Sequence, residues 1–214
     1  MVAEHSPRIW PANDPEALSA AQMALSAGGI VGIPTETVYG LAVLPQPAAL
    51  QALIAVKRRP GEKGIAVLID HLSQVEHLVV ISRQARRVAT AMWPGPLTLV
   101  LPLAPSVVLP DGLTGGRSTL AIRLPDHPIP RALARQLGPI ATSSANRSGE
   151  ADARTATELV ASVGALIALV LDDGPARGGT PSSVVAIDAS GGLTVLRVGA
   201  LDPGSIAAAA QSER

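Results

Sequence analysis

The side chains of this chain that could do chemistry fall into three polar clusters, each at the end of an apolar stretch, and two isolated arginines. The first cluster is PTETVYG, residues 34–40, where Thr35, Glu36, Thr37 and the chain's single tyrosine, Tyr39, follow the run IVGI. Strand ends in open α/β sheets are where ligands bind, so these residues are well placed to hold one. A plain turn, punctuated by Pro34 and Gly40 with Tyr39 covering a hydrophobic edge, explains them equally well. The second cluster is VKRRPGEKG, residues 56–64. Lys57, Arg58 and Arg59 end a helix that Pro60 stops, and cations there gain about 0.3–1 kcal/mol from the helix dipole alone. The other reading is a side-chain grip on phosphate, with Lys57 and Arg59 two residues apart and Lys63 joining from the loop. The third cluster is IATSSANRSG, residues 140–149, which carries the hydroxyls of Thr142, Ser143, Ser144 and Ser148 and the amide of Asn146. It makes an ordinary loop or recognises sugar, phosphate or base edges. Arg123 in LAIRLP and Arg197 in TVLRVG interrupt apolar strands, where a guanidinium needs an anion from the chain or from a ligand.

Other chemistries are excluded. No Cys is present, which removes disulfides, thiolate catalysis and zinc–thiolate sites. The four His are scattered, with His71 and His77 six apart, so no metal site is expected. No phosphate-binding glycine loop, dinucleotide fingerprint, HExxH or GxSxG occurs. Lys and Arg number 17 against 17 Asp and Glu, so no global basic field steers the chain toward nucleic acid. One Tyr, two Trp and no Phe leave little for base stacking, and weak or no direct nucleic-acid binding is expected. The opening MVAEHSPRIWPANDPEAL has no basic stretch followed by an apolar one, so no secretory leader is expected there. No apolar run reaches the ~18 residues of a membrane span. The expected setting is cytoplasmic, with no membrane partner.

The clusters are positioned by intermixed helices and apolar strands. NDPEALSAAQMALSAGG reads as a helix capped by Asp14, with Pro15 at its first position, Leu18, Gln22 and Leu25 at helical spacing, and Gly28-Gly29 as the stop. IVGIPT reads as a strand, PAALQALIAVK as a helix, GIAVLI (64–69) as a strand and SRQARRVATAMW (82–93) as a helix capped by Ser82. LTLVLPL and STLAIRLP follow as strands, HPIPRALARQL as a helix and PIATS as a short strand. TATELVASV is a helix with a Thr155/Glu158 capping box. LIALVLD, SSVVAID and LTVLRV are closing strands, the last two joined by the turn ASGG. That hairpin makes the sheet mixed, and the fold class α/β. Residues 1–204 form a single domain in this reading, and the Ala-rich residues 205–214 a short tail or loose helix.

Taken in order, GGIVGIPTETVYGLA, KRRP, WPGPLTLVL, AIRLPDHP, SSANRSG and LRVG resemble the YrdC-type threonylcarbamoyl-adenylate synthases, from about residue 15 to residue 200. The resemblance implies a twisted, mixed open sheet with flanking helices and a concave ligand cleft. It implies synthesis of L-threonylcarbamoyl-AMP from L-threonine, bicarbonate and ATP, with Mg2+ carried on the ATP and pyrophosphate released. The product would feed tRNA N6-threonylcarbamoyladenosine formation through a downstream threonylcarbamoyl-transferase complex. Carried over residue by residue, Lys57, Arg59, Ser144 and Asn146 would hold the nucleotide and promote the reaction, with Lys63 and Arg197 also on the nucleotide. Thr35, Tyr39, Arg123, Thr142 and a serine of PSSVV (Ser182 or Ser183) would hold threonine, Arg123 as a fork on its carboxylate and Tyr39 as a cleft wall. Leu68 stands where some members carry a histidine that contacts threonine, and the larger form's extra C-terminal domain is not expected in this chain. The rival readings are a carbamoyl-phosphate-using module of hydrogenase maturation, a catalytically divergent RNA- or nucleotide-binding paralogue, and a regulatory nucleotide-binding domain.

Overall fold

A computed structural model describes residues 7–58, 64–147 and 149–212. The strands are β1 (Arg8–Pro11), β2 (Val31–Ile33), β3 (Gly40–Val43), β4 (Ala66–Leu68), β5 (Leu97–Pro102), β6 (Thr119–Arg123), β7 (Ile140–Ser144), β8 (Leu169–Asp172), β9 (Ser183–Ile187) and β10 (Leu193–Arg197). The helices are α1 (Ala17–Ser26), α2 (Pro47–Lys57), α3 (Arg83–Met92), the single turn α4 (Asp111–Thr114), α5 (Pro128–Leu137), α6 (Ala156–Val163) and α7 (Pro203–Gln211). The strands form one ten-stranded mixed sheet in the order β1-β8-β2-β3-β7-β4-β6-β5-β9-β10. β9 and β10 pair antiparallel across the ASGG turn, as expected from the sequence.

Helix ends follow local chemistry, with two departures. Ser82 Oγ accepts from Ala85 N and starts α3 as expected. Asp14 does not cap α1: its carboxylate accepts from Glu16 N at 2.9 Å, closing a turn, and the helix begins at Ala17. The buried stripe of α1 is Ala17, Ala21 and Leu25, one position away from the expected one at its first two members. Thr155 Oγ1 caps α6 through Glu158 N, but the Glu158 carboxylate accepts from Arg154 N, so only half of the capping box forms. The strand β3 is a finding of the structure, since four residues between a loop and a helix carry too short a pattern to read.

The final segment also differs from expectation. Residues 203–211 are a helix, capped by Asp202 and seated on α3, with Ile206 fully buried and Ala210 nearly so. The boundary after residue 204 therefore falls inside an element of the core. An Ala-rich stretch with one Ile looks loose in sequence, yet burying that single side chain is worth about 1.5–3 kcal/mol.

Coverage of the two sheet faces explains the cleft. On one face α2, α3, α6 and α7 bury Leu50, Leu53, Val88, Leu159 and Ile206 against alternate strand residues, among them Leu41, Leu97, Leu99, Leu120, Ile122 and Val185. On the other face α1 and α5 pack Ala21, Leu25 and Leu133 against Val31, Ile33, Ala42, Leu68, Ile140 and Leu169. That second layer ends at β4. Beyond it, the same face of β6, β5 and β9 shows Thr119, Ala121, Thr98, Val100, Val184 and Ala186 to a concavity. Small side chains on successive strands leave its floor deep.

Candidate active site

The concavity is a cleft of about 930 Å³ that runs from Gly40 and Thr142 across to Leu196 and Arg197. Strand register orders its contents. Leu68 pairs with Arg123, and Leu99 with Ile122, which sets Thr98 opposite Arg123. Thr98 pairs with Val184, and Val184 with Arg197. Arg123, Thr98 and Arg197 therefore share one rung. Ala66 pairs with Thr142, and Ser144 with Gly40. Leu68 also pairs with Ile140, so Ser144, four residues further along β7, stands about 13 Å from the Arg123 rung at ~3.3 Å per residue. The cleft thus has two polar ends. Gly40 is required at the Ser144 end, because a Cβ there would stand 2.8 Å from Thr142 Cγ2.

At the Ser144 end, Lys57 is buried, at 4% exposure, and is no solvated helix-end cation. Its Nζ donates to the Ser144 carbonyl, to Asn146 Oδ1 at 2.7 Å and to Ser144 Oγ at 3.3 Å. Ser144 Oγ in turn donates to Asn146 Oδ1, and Asn146 Nδ2 to the Glu150 carbonyl. The second and third sequence clusters are therefore one site, assembled from the end of α2 and the end of β7. Arg58, by contrast, is exposed and takes the left-handed conformation, with φ of 47°, that ends α2. Arg59, Lys63 and Ser148 lie outside the described residues.

At the other end, Arg123 is buried with three acceptors around it. Nε donates to the Gly95 carbonyl at 3.2 Å, and Nη2 to Thr37 Oγ1 at 3.0 Å. Glu36 Oε1 stands 2.8 Å from Nη2. That contact is an ion pair by distance without hydrogen-bond alignment, and both Glu36 carboxylate oxygens are buried with no hydrogen-bonding partner among the described residues. The strand arginine thus has its anion within the chain. Among the described residues only Nη1 is left without a partner. Behind this pair His127 Nδ1 accepts from Ile129 N to cap α5, and Nε2 lies 3.3 Å from Asp173 Oδ2. Burial holds the His127 pKa below its ordinary value, against the opposing pull of Asp173 and Glu36.

The remaining expected residues divide. Thr142 borders the cleft, its hydroxyl making only a 3.5 Å contact to the Ile140 carbonyl. Thr35 also borders it, but its hydroxyl is occupied by the Val38 carbonyl at 2.6 Å, Thr37 Oγ1 and two backbone amides. Ser182 faces the cleft and contacts Thr98 Oγ1 at 2.9 Å. Ser183 does not. Its Oγ donates to the Leu201 carbonyl and accepts from Gly199 N and Leu201 N, tying β9 to the turn before α7. Arg197 is exposed on the edge strand, and it grips the Ser182 carbonyl and Oγ.

Tyr39 also has its polar atom engaged within the chain. It borders the cleft, but its side chain is fully buried in the core cluster that holds Leu41 and Val43. Its hydroxyl donates toward Asp172 Oδ1 and the Gly174 carbonyl and accepts from Asp173 N, and none of these residues borders the cleft. Burial pushes the phenol pKa up. Tyr39 is a core residue with a satisfied hydroxyl. Thr98, Arg117 and Thr119 border the cleft and were not foreseen. A polar residue at the period-two position of an otherwise apolar strand was the available signal for Thr98 and Thr119.

With this geometry in hand, comparison with known proteins gives a consistent picture. The Sua5/YciO/YrdC family model, described as "Telomere recombination", matches residues 23–199. The Bacillus subtilis threonylcarbamoyl-AMP synthase is 38% identical over 177 residues, which is 81% of this chain but 51% of that protein. The chain thus spans about half the length of this relative. The synthase of the same name from Alkalilimnicola ehrlichii is 41% identical over 150 residues, covering 69% of this chain and 77% of the relative. The crystal structure of P. abyssi Sua5 complexed with L-threonine superposes with a TM-score of 0.83 at 34% identity, over 90% of this chain and 56% of that one. E. coli YciO, with a TM-score of 0.79 at 22% identity, shares the fold. From the sheet, the cleft and these matches together, the chain belongs to the Sua5/YciO/YrdC family.

Proposed function

We propose that this protein is an L-threonylcarbamoyladenylate synthase, joining L-threonine, bicarbonate and ATP into L-threonylcarbamoyl-AMP with release of pyrophosphate. The observation that carries the reading is the charge of the cleft. Lys57, Arg117, Arg123 and Arg197 border it, and no Asp or Glu does among the described residues. In a chain of zero net charge, such segregation suits a polyanion at one end and a carboxylate at the other. The names of the relatives and the L-threonine named with the P. abyssi structure point the same way.

The chemistry asks for cations and little else. Threonine's ammonium gives up a proton and bicarbonate loses water as the N–C bond of the carbamate forms. A carbamate oxygen then attacks the α-phosphorus, and the bond to the pyrophosphate oxygen breaks. Two anions meet in that step, so preorganised positive charge lowers its barrier. Lys57, fixed by Ser144 and Asn146, supplies it at the nucleotide end, and the family resemblance assigns Arg59 and Lys63 to the same role. Arg123 holds the amino acid through Nη1, with Thr142 and Ser182 near. No group of three or more His, Asp or Glu suited to a metal occurs among the described residues, and magnesium is assigned to the substrate as MgATP. No helix is long and apolar enough to cross a membrane among the described residues. The reading carries with it a cytoplasmic setting, a transferase complex that passes the threonylcarbamoyl group to tRNA adenosine, and weak direct tRNA binding.

The test is pyrophosphate release with MgATP, L-threonine and bicarbonate, each omitted in turn. Release is expected only with all three together. Equal turnover without threonine would replace the synthase with a plain ATPase.

A further inference from the structure

Thr98 is buried, at 5% exposure, yet borders the cleft, and it is the neighbour of Arg123 on the adjacent strand of the same rung. Directly opposed residues of an antiparallel pair have Cβ atoms about 4.5–5.5 Å apart, so an anion held by Arg123 lies within reach of Thr98 Oγ1. The proton count on that hydroxyl is informative. Thr98 Oγ1 and Ser182 Oγ are 2.9 Å apart and share one hydrogen bond. Ser182 Oγ also accepts from Arg197 Nη2 at 3.2 Å. Two hydroxyls carry two protons and their mutual bond uses one. The other has no acceptor among the described residues, and Thr98 stands between Ser182 and Arg123.

We propose that Thr98 is a ligand-binding residue that donates a hydrogen bond to the amino-acid carboxylate held by Arg123, with Ser182 and Arg197 orienting its hydroxyl. This rests on the synthase reading above and extends it. Arg197 donates a hydrogen bond to Ser182 Oγ, Ser182 donates one to Thr98 Oγ1, and the Thr98 hydroxyl is left as a donor to the carboxylate. The arrangement supplies the second contact that Arg123 does not, because its Nε and Nη2 are held by Gly95, Thr37 and Glu36. Arg197, assigned by the family resemblance to the nucleotide, then also serves the amino acid through Ser182.

The experiment is calorimetric titration of the full chain with L-threonine and, separately, with a non-hydrolysable ATP analogue. Thr98→Val, which keeps shape and removes the hydroxyl, should raise the Kd for threonine about 10- to 150-fold, the range for one hydrogen bond to a charged acceptor. Thr98→Ser should stay near wild type, and analogue binding should change little. L-Threoninamide, which lacks the carboxylate, should bind wild type and Thr98→Val equally weakly. Thr98→Ala removes the same hydroxyl without demanding space and is read identically if the valine variant fails to fold. Unchanged threonine affinity in the hydroxyl-free variants overturns the assignment, as does an equal loss with threoninamide or a loss confined to the ATP analogue. Wild type that binds no threonine overturns the synthase reading itself, a result distinct from a variant that matches a binding-competent wild type.

Discussion

Replacing Arg123 by Met removes the cation paired with Glu36, and the structure sets the size of the effect. Arg123 Nη2 stands 2.8 Å from Glu36 Oε1, and the two side chains are 9% and 13% exposed. Both Glu36 oxygens are buried with no hydrogen-bonding partner among the described residues, so the carboxylate relies on the Arg123 charge. Leaving a buried charge unpaired costs about 3–5 kcal/mol, and that is the loss expected for Arg123→Met. Glu36→Gln should cost less, about 1–3 kcal/mol, because Arg123 keeps the Gly95 carbonyl, Thr37 and the open cleft beside Nη1. The double variant removes both charges together, and its loss should fall short of the summed single losses by about 0.5–3 kcal/mol. Urea unfolding followed by far-ultraviolet circular dichroism at pH 7 measures all four corners of the cycle, with a shared m-value confirming comparable transitions. An Arg123→Met loss below about 1 kcal/mol, or strict additivity in the double variant, refutes the buried-pair reasoning.

Two further outcomes follow from residues outside the cleft floor. His127 has a folded pKa below its ordinary 6.5 because of burial, so the unfolded chain binds its proton first. Its contribution to stability is therefore complete above pH 6.5 and is lost as pH falls through the lower folded value. His127→Asn, which can keep the cap on Ile129 N, should flatten that part of the stability-versus-pH curve, and an unchanged slope in denaturant titrations contradicts the assignment. Ile206→Ala should destabilise by about 2–5 kcal/mol and lower the Tm by about 4–20 °C. A Tm within error of wild type would mean that α7 contributes no packing.

The sequence by itself determined the elements that have a strong local cause, and the family they compose. Apolar runs, the Ser82 cap and the ASGG hairpin each rest on contacts within a few residues, so spacing exposed them. It also marked Lys57, Ser144, Asn146, Arg123 and Arg197, since charge and hydroxyl clusters at strand ends are unusual enough to notice. Tertiary structure decided what each of them does. Leu41 and Ala42 are neighbours in the chain, yet alternation across β3 sends one into each of the two cores. Ser182 and Ser183 divide in the same way, one to the cleft and the other to the turn at Leu201. Lys57 meets Ser144 from 87 residues away, and Thr98 meets Arg123 only through the register of β5 on β6. Pattern along a chain reports which residues are polar and at what period. The face each one takes, and the partner it finds there, depends on strand order and on which helices cover the sheet, and these long-range pairings leave no local trace.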